Sequence, residues 1–310
     1  MSDTAASVRA SSHARDVQLG LVGTGVAVVV WGTSGVIIKA IDMGGLAIGF
    51  WRFCLYALAL IAWMAARGKR LTWRILVASL PGGISLGLDV VFFFTAVKIT
   101  NVVNATTIGS LQPLIVAGFA AKMFGEQIRV KDLAAAVVAI VAVAVIVIES
   151  SGTPEWSGAG DLAAVGALFS WSGYFIFSKR SKGVLTPQEY TAGTGVWTAA
   201  ICLTAGIVFK QDMSFPSQAN WLPLIALTFG AGILGHSIMN WSLVRVPLWL
   251  GSTLTLLIPV VGSVTAWIFL DEPLTGVQLG AMAVVMAALA SIVMTQGKPE
   301  PVRPPQIATT

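Results

Sequence analysis

The sequence predicts an all-α membrane protein of ten transmembrane helices, built from two inverted five-helix repeats. Three observations carry that expectation. Of 310 residues, 56% are hydrophobic and only 11% are charged, against about a quarter charged in a soluble globule. The apolar runs recur at lengths near twenty residues, which at about 1.5 Å of rise per residue crosses a hydrocarbon core of roughly 30 Å. A proline followed thirteen residues later by a glutamate occurs twice, 146 positions apart.

Apolar runs and their breakers place the spans at 20–40, 46–66, 74–96, 101–124, 131–149, 159–179, 190–209, 220–243, 246–270 and 275–295. Residues 1–19 are polar, with Arg9, His13 and Arg15 and no short apolar core ahead of a cleavage site. They read as a cytoplasmic tail, and the first apolar run stays as an anchor. The first repeat covers 20–149, and a turn-forming linker, "SSGTPEWSG" over 150–158, marks the midpoint. The second repeat covers 159–295. The proline-rich, charged "GKPEPVRPPQ" makes 296–310 a disordered tail.

Orientation follows from lysine and arginine. Fifteen fall on one side of this topology and only Lys39, Lys98 and Lys210 on the other, with Arg52 inside the second span. The positive-inside bias puts both termini in the cytoplasm. The net charge of +5 is therefore a membrane-surface signal and not a nucleic-acid one. Cys54 and Cys202 both sit in apolar runs, as small buried apolar side chains do, and there is no material for a metal site.

The repeat is read from "LQPLIVAGFAAKMFGEQ", with Pro113 and Glu126, and "LIPVVGSVTAWIFLDEP", with Pro259 and Glu272. In that register eleven of the thirty-seven positions from Leu111 to Val147 are identical. A weaker echo matches Trp31 with Trp171 and Lys39 with Lys179. Five spans are an odd number, so the second copy enters the membrane from the opposite face. Glu126 and Glu272 each stand just ahead of the next span, where free amides and the helix dipole favour an anion, so a structural capping role is expected for both.

Those two halves, together with "WGTSGVIIK" in span one, "FWRF" in span two and "GDLAAVGALFSW" opening the second half, resemble the EamA family of the drug/metabolite transporter superfamily over about residues 20–295. The resemblance implies a secondary transporter in a bacterial inner membrane, often an exporter of amino acids or other small metabolites. It also implies a central cavity lined by spans one, three, four, six, eight and nine. Spans five and ten would be peripheral, at a homodimer contact, and no cofactor or metal is implied.

Ionisable groups inside the membrane are candidates for chemistry, because placing one in hydrocarbon costs several kcal/mol. Asp89, in "SLGLDVVFFFTAV", must face a wet cavity, meet a cation or hold a proton; proton coupling and amine capture both follow, against a structural hydrogen bond. In the repeat register Asp89 matches Gly235, next to His236, which suggests a facing pair of coupling groups. His236 shares a face with Asn240, with simple packing as its alternative. Arg52 reads first as structural, by snorkelling or by neutralising helix carbonyls, and otherwise as a partner for a substrate carboxylate. Asn101, Asn104 and Thr107 draw a polar stripe in span four, answered in span nine by Trp249 and Thr253. Such stripes line cavities or join helices.

Pro113 and Pro259 are expected to open their helices and act as gates, or merely to kink them. Trp51, Trp63, Trp73, Trp156, Trp221 and Trp267 fit an interfacial belt. Trp171, with Phe93, fits a substrate contact, and Trp31 is also deep. Lys39 and Lys179 read as snorkelling anchors. "GISLG" (Gly83 to Gly87) fits a nucleophile pattern without its strand-to-helix elbow, so close helix packing explains its glycines better. The expected function is outward movement of a small polar metabolite, first an amino acid, by proton-linked alternating access. The alternatives are uptake of an amine or quaternary ammonium solute, or a membrane scaffold or sensor.

Overall fold

A computed structural model describes residues 2–100, 102–152 and 157–296. Asn101, Trp156 and, apart from Gln296, the expected tail 296–310 lie outside the described residues. Ten helical segments among those described are long and apolar enough to cross a membrane. They are α1 (Arg15–Lys39), α2 (Gly45–Ala66), α3 (Trp73–Val97), α4 (Asn104–Phe124), α5 (Val130–Ser151), α6 (Ala159–Arg180), α7 (Pro187–Val208), α8 (Gln218–Leu243), α9 (Leu248–Leu270) and α10 (Gly276–Thr295). The helix containing α1 begins further back, at Ser2; nothing before Gly20 breaks a helix, so the polar segment expected as a tail continues the first span.

Four spans are interrupted. α1 breaks at Thr33, between helices Ser2–Gly32 and Ser34–Lys39. α4 breaks between Val102–Gly109 and Gln112–Phe124. α8 carries a π-helical stretch at Thr228–Gly235, and α9 a 3₁₀ turn at Leu254–Leu256. Pro113 and Pro259 follow the breaks in α4 and α9. Neither can donate a hydrogen bond to the carbonyl four residues back, on Gly109 and Thr255 respectively.

The repeat is visible in the backbone as well. Gly125 ends α4 in the left-handed region at φ 66° and Asp271 ends α9 at φ 54°. Their amides donate to Ala120 and Ala266 respectively, and all four positions match at the repeat offset. Asp271 is thus a left-handed C-terminal stop, a conformation aspartate tolerates better than most side chains.

Packing follows a pseudo-two-fold. α3 lies against α6 and α7, and α8 correspondingly against α1 and α2; α2 packs on α7, and α5 on α10. Glycine permits the closest of these approaches. A Cβ on Gly83 would stand 2.4 Å from Trp197 Cβ, and one on Gly87 would stand 2.7 Å from Ile201 Cδ1, so α3 meets α7 at small-residue distance.

Candidate functional site: a cavity between the halves and a polar cluster behind it

A cavity of about 320 Å³ opens between α3, α4, α6 and α9, at the small end of ligand-sized pockets. α3 contributes Asp89 and, one helical turn on, Phe93; α6 contributes Trp171; α9 contributes Pro259. From α4 come Gly109, Ser110 and Gln112, the residues of its break. The two interruptions meet here: the Thr255 hydroxyl is shared between Gln112 Oε1 at 3.1 Å and the Ser252 carbonyl at 2.6 Å. Asp89 is the one carboxylate in a wall otherwise made of apolar, aromatic, hydroxyl and amide groups. α1 and α8, expected to line the cavity too, instead join each other behind it, where Trp31 Nε1 donates to the Ala231 carbonyl of the π-helical stretch at 2.9 Å.

Trp171 forms the partition between this cavity and a buried polar cluster. Its ring stacks on Tyr174 at 5.4 Å and lies 6.3 Å from His236. His236 is enclosed by Trp31, Phe53, Tyr56, Trp171 and Tyr174, and its Nδ1 lies 3.1 Å from Tyr174 Oη. Asn240 Nδ2 donates to Tyr174 Oη at 2.9 Å and to Thr191 Oγ1 at 3.0 Å, while its Oδ1 accepts from Ser178 at 2.7 Å. His236 and Asn240 therefore sit in a hydrogen-bonded core joining α6, α7 and α8. The expected facing pair is not formed. Asp89 lines the cavity and His236 does not, because the register that matches their depth says nothing about the rotation of each helix.

Arg52 enters the same region from α2. Its guanidinium lies 5.1 Å from the Phe53 ring centre, and no hydrogen bond or ion pair among the described residues uses it. It is half-buried, with Nε enclosed among the helices. Tyr56, one turn on, is fully buried beside Thr191 and Thr194.

The remaining expected site residues are distributed elsewhere. Asn104 Nδ2 donates to Asp161 Oδ1 at 2.7 Å, and Thr100 and the Ser157 amide also donate to that carboxylate. This end of the α4 stripe joins helices. Asp161 is itself buried. Thr107 is off the cavity wall, while its neighbour Thr106 is on it. Trp249 is fully buried, and Thr253 donates to the Trp249 carbonyl one turn back at 2.8 Å, so neither reaches the cavity. Pro113 is buried beside the lining residue Gln112.

Each matched glutamate meets the other half of the molecule. Glu126 does not cap α5: it accepts from the amides of Leu248 at 2.5 Å and Trp249 at 3.0 Å, at the start of α9. Lys179 lies within electrostatic reach of it and donates to the Val246 carbonyl. At the opposite face Glu272 pairs with Lys39 at 2.6 Å. Both pairings had a signal in the sequence, since the lysines and the glutamates each recur between repeats; what was missing was that one set meets the other.

Ten membrane-crossing helices, arranged as two inverted halves around a cavity in the middle of the bundle, define a multi-pass membrane protein of inverted-repeat transporter architecture. The chain belongs to the EamA-like transporter family, which it matches over residues 18–148 and 158–294. It is 30% identical, over 84% of this chain and 90% of the other, to a Salmonella typhimurium protein named "probable amino-acid metabolite efflux pump". It is likewise 30% identical, over 49% and 52%, to the aromatic amino acid exporter YddG of Ancylobacter novellus. The threonine/homoserine exporter RhtA of Salmonella typhimurium is 26% identical over 79% and 80%. A solved crystal structure at 23% identity shares the fold, with a TM-score of 0.77 over 92% of this chain and 99% of that one.

Proposed function

We propose that the chain is a secondary exporter that carries a small polar metabolite, first an amino acid, outward across a bacterial inner membrane, with both termini cytoplasmic. One observation carries the reading: a lone carboxylate, Asp89, stands in the wall of a mid-bundle cavity between inverted halves. At that depth its charge is completed either by a proton or by a cation. A substrate ammonium and a proton therefore compete for the same oxygens, and alternate occupancy links outward solute movement to inward proton movement. Pro113 and Pro259 each remove the amide that would donate to the carbonyl four residues back, beside the cavity. The names of the relatives, all exporters of amino acids or their metabolites, support the substrate class.

Alternating access needs a seal at each face. Glu126 with the α9 amides forms one, and Lys39 with Glu272 the other. Opening one while the other holds moves the cavity between compartments, with the interruptions in α4 and α9 as the bending points. Asp89→Asn in reconstituted vesicles is expected to abolish flux driven by a pH gradient while leaving thermal unfolding in detergent unchanged. Undiminished gradient-driven flux would remove Asp89 from the coupling role.

The flanking of Asp89 by Phe93 and Trp171 also favours a second reading, uptake of an amine or quaternary ammonium solute through cation–π contact. Choline exchange by the vesicles, with no exchange of phenylalanine or threonine, would select it. A scaffold or sensor would exchange none of these.

A further inference from the structure

Gln112 stands on the cavity wall where α4 restarts after its break, and its side chain is only half used. The residue is 1% exposed. Its Oε1 faces the Thr255 hydroxyl across the two halves, while Nε2 is enclosed with no hydrogen-bond partner among the described residues. The Thr255 hydroxyl has a single proton, and the Ser252 carbonyl at 2.6 Å is a nearer claim on it than Gln112 at 3.1 Å. A buried amide so loosely satisfied is costly, and an apolar side chain of the same length would fill the space without that cost. A group kept at a cost on the wall of a cavity is a group for a solute.

The surroundings of the amide say what that solute group is. The helices Gln112–Phe124 and Leu257–Leu270 both begin on the cavity wall, at Gln112 and between the lining residues Leu256 and Ile258, and neither has a side-chain cap. A helix start carries partial positive charge, and interrupted spans in membrane carriers turn such ends toward the anionic part of a solute. An idle N–H donor beside two positive helix ends favours an oxyanion at the wall made by α4 and α9. Asp89 lines the same cavity from α3 and favours a cation there. An α-amino acid carries both groups on one carbon. We propose that Gln112, through Nε2, binds the carboxylate of the solute whose ammonium meets Asp89, with Thr255 as the residue that positions the amide. This rests on the amino-acid export reading above and adds the group that separates an amino acid from an amine. The direction of the amide is part of the proposal: turned over, it would present Oε1 to the cavity and take the ammonium instead.

The test compares solutes that differ only at the acid group: L-phenylalanine with phenethylamine, and L-threonine with threoninol, in counterflow with the purified full chain in vesicles. In the wild type each amino acid is expected to exchange with a KM about ten- to a hundred-fold below that of its analogue, the range of a hydrogen bond to a charged group. Gln112→Met keeps the length and loses the donor; it is expected to bring the ratio down about five-fold or more by raising the KM of the amino acid alone. Gln112→Glu sets a negative charge at the same point and is expected to make the analogue the better solute. Thr255→Val, which frees the amide to turn, is expected to lower the ratio part of the way. Continued exchange of the analogue shows that a variant is folded, and a purely structural role would move Tm without moving the ratio. Equal KM for amino acid and analogue in the wild type would overturn the proposal while leaving transport intact. So would a ratio unchanged in both Gln112 variants, or a loss in Gln112→Met that falls equally on the analogue, which is the result the turned-over amide gives. If neither Gln112 variant folds, Thr255→Val decides, and an unchanged ratio there overturns the proposal. If the wild type exchanges none of the four, the export reading itself falls.

Discussion

Glu126 satisfies two backbone amides in the other half of the molecule. Leu248 and Trp249 open α9, 122 and 123 positions along the chain from the glutamate, and free amides at a helix start need an acceptor. Glu126→Gln keeps an oxygen but loses the charge that shortens and strengthens these bonds. It is expected to cost about 1–3 kcal/mol, measurable as a lower Tm in detergent, and to weaken the seal at this face. The sequence announced an acid at a helix terminus; it did not announce which terminus, because capping of the adjacent span and of a distant one leave the same residue pattern. The same limit applies to Asn104, where one polar stripe suits cavity lining and helix joining equally. Only Asp161 arriving opposite decides. Trp249 and Thr253 share a face of α9, as their spacing requires, but that face turns inward on its own neighbours.

The informative elements are the interrupted ones. Pro259 denies the Thr255 carbonyl its usual donor, and the preceding turn tightens to 3₁₀ form. Pro259→Ala supplies that donor and favours a straight α9. A stiffer span is expected to lower kcat about ten-fold, equivalent to about 1.4 kcal/mol on the rate-limiting motion, with little change in KM; vesicle exchange at saturating solute measures it. Gly83→Ala addresses packing instead. Its new methyl would meet Trp197 Cβ at 2.4 Å and force α3 from α7, an overpacking penalty of about 1–3 kcal/mol read as a fall in Tm. Span ends were legible to within a few residues, since hydropathy changes abruptly there. The breaks in α4 and α9 were half legible through their prolines. The π-helical stretch in α8 announced itself only by the glycines of "TFGAGILG", which fit a tightly packed regular helix equally well.

Over the whole molecule, the order of spans and the inversion were readable because an odd number of crossings leaves a duplicate no other way to insert. Which side chains meet between the halves was not, as that depends on how two copies rotate against each other. The Lys39–Glu272 pair is half exposed, at 61% and 51% of side-chain area, so it contributes at most about 1 kcal/mol, a population change of about five-fold. Lys39→Glu alone is expected to raise labelling of a Ser110→Cys reporter from that face by up to this factor, and Lys39→Glu with Glu272→Lys to restore it. No change in labelling would deny the pair a sealing role. The contact of Gln112 with Thr255 has no such counterpart. Shifted by the repeat offset, those positions become Ile258 and Gly109, which offer no side-chain hydrogen bond. A perfectly duplicated device would idle facing either compartment with equal weight; this lopsided stitch gives it a preferred idling direction, written into two residues that never touch the outside.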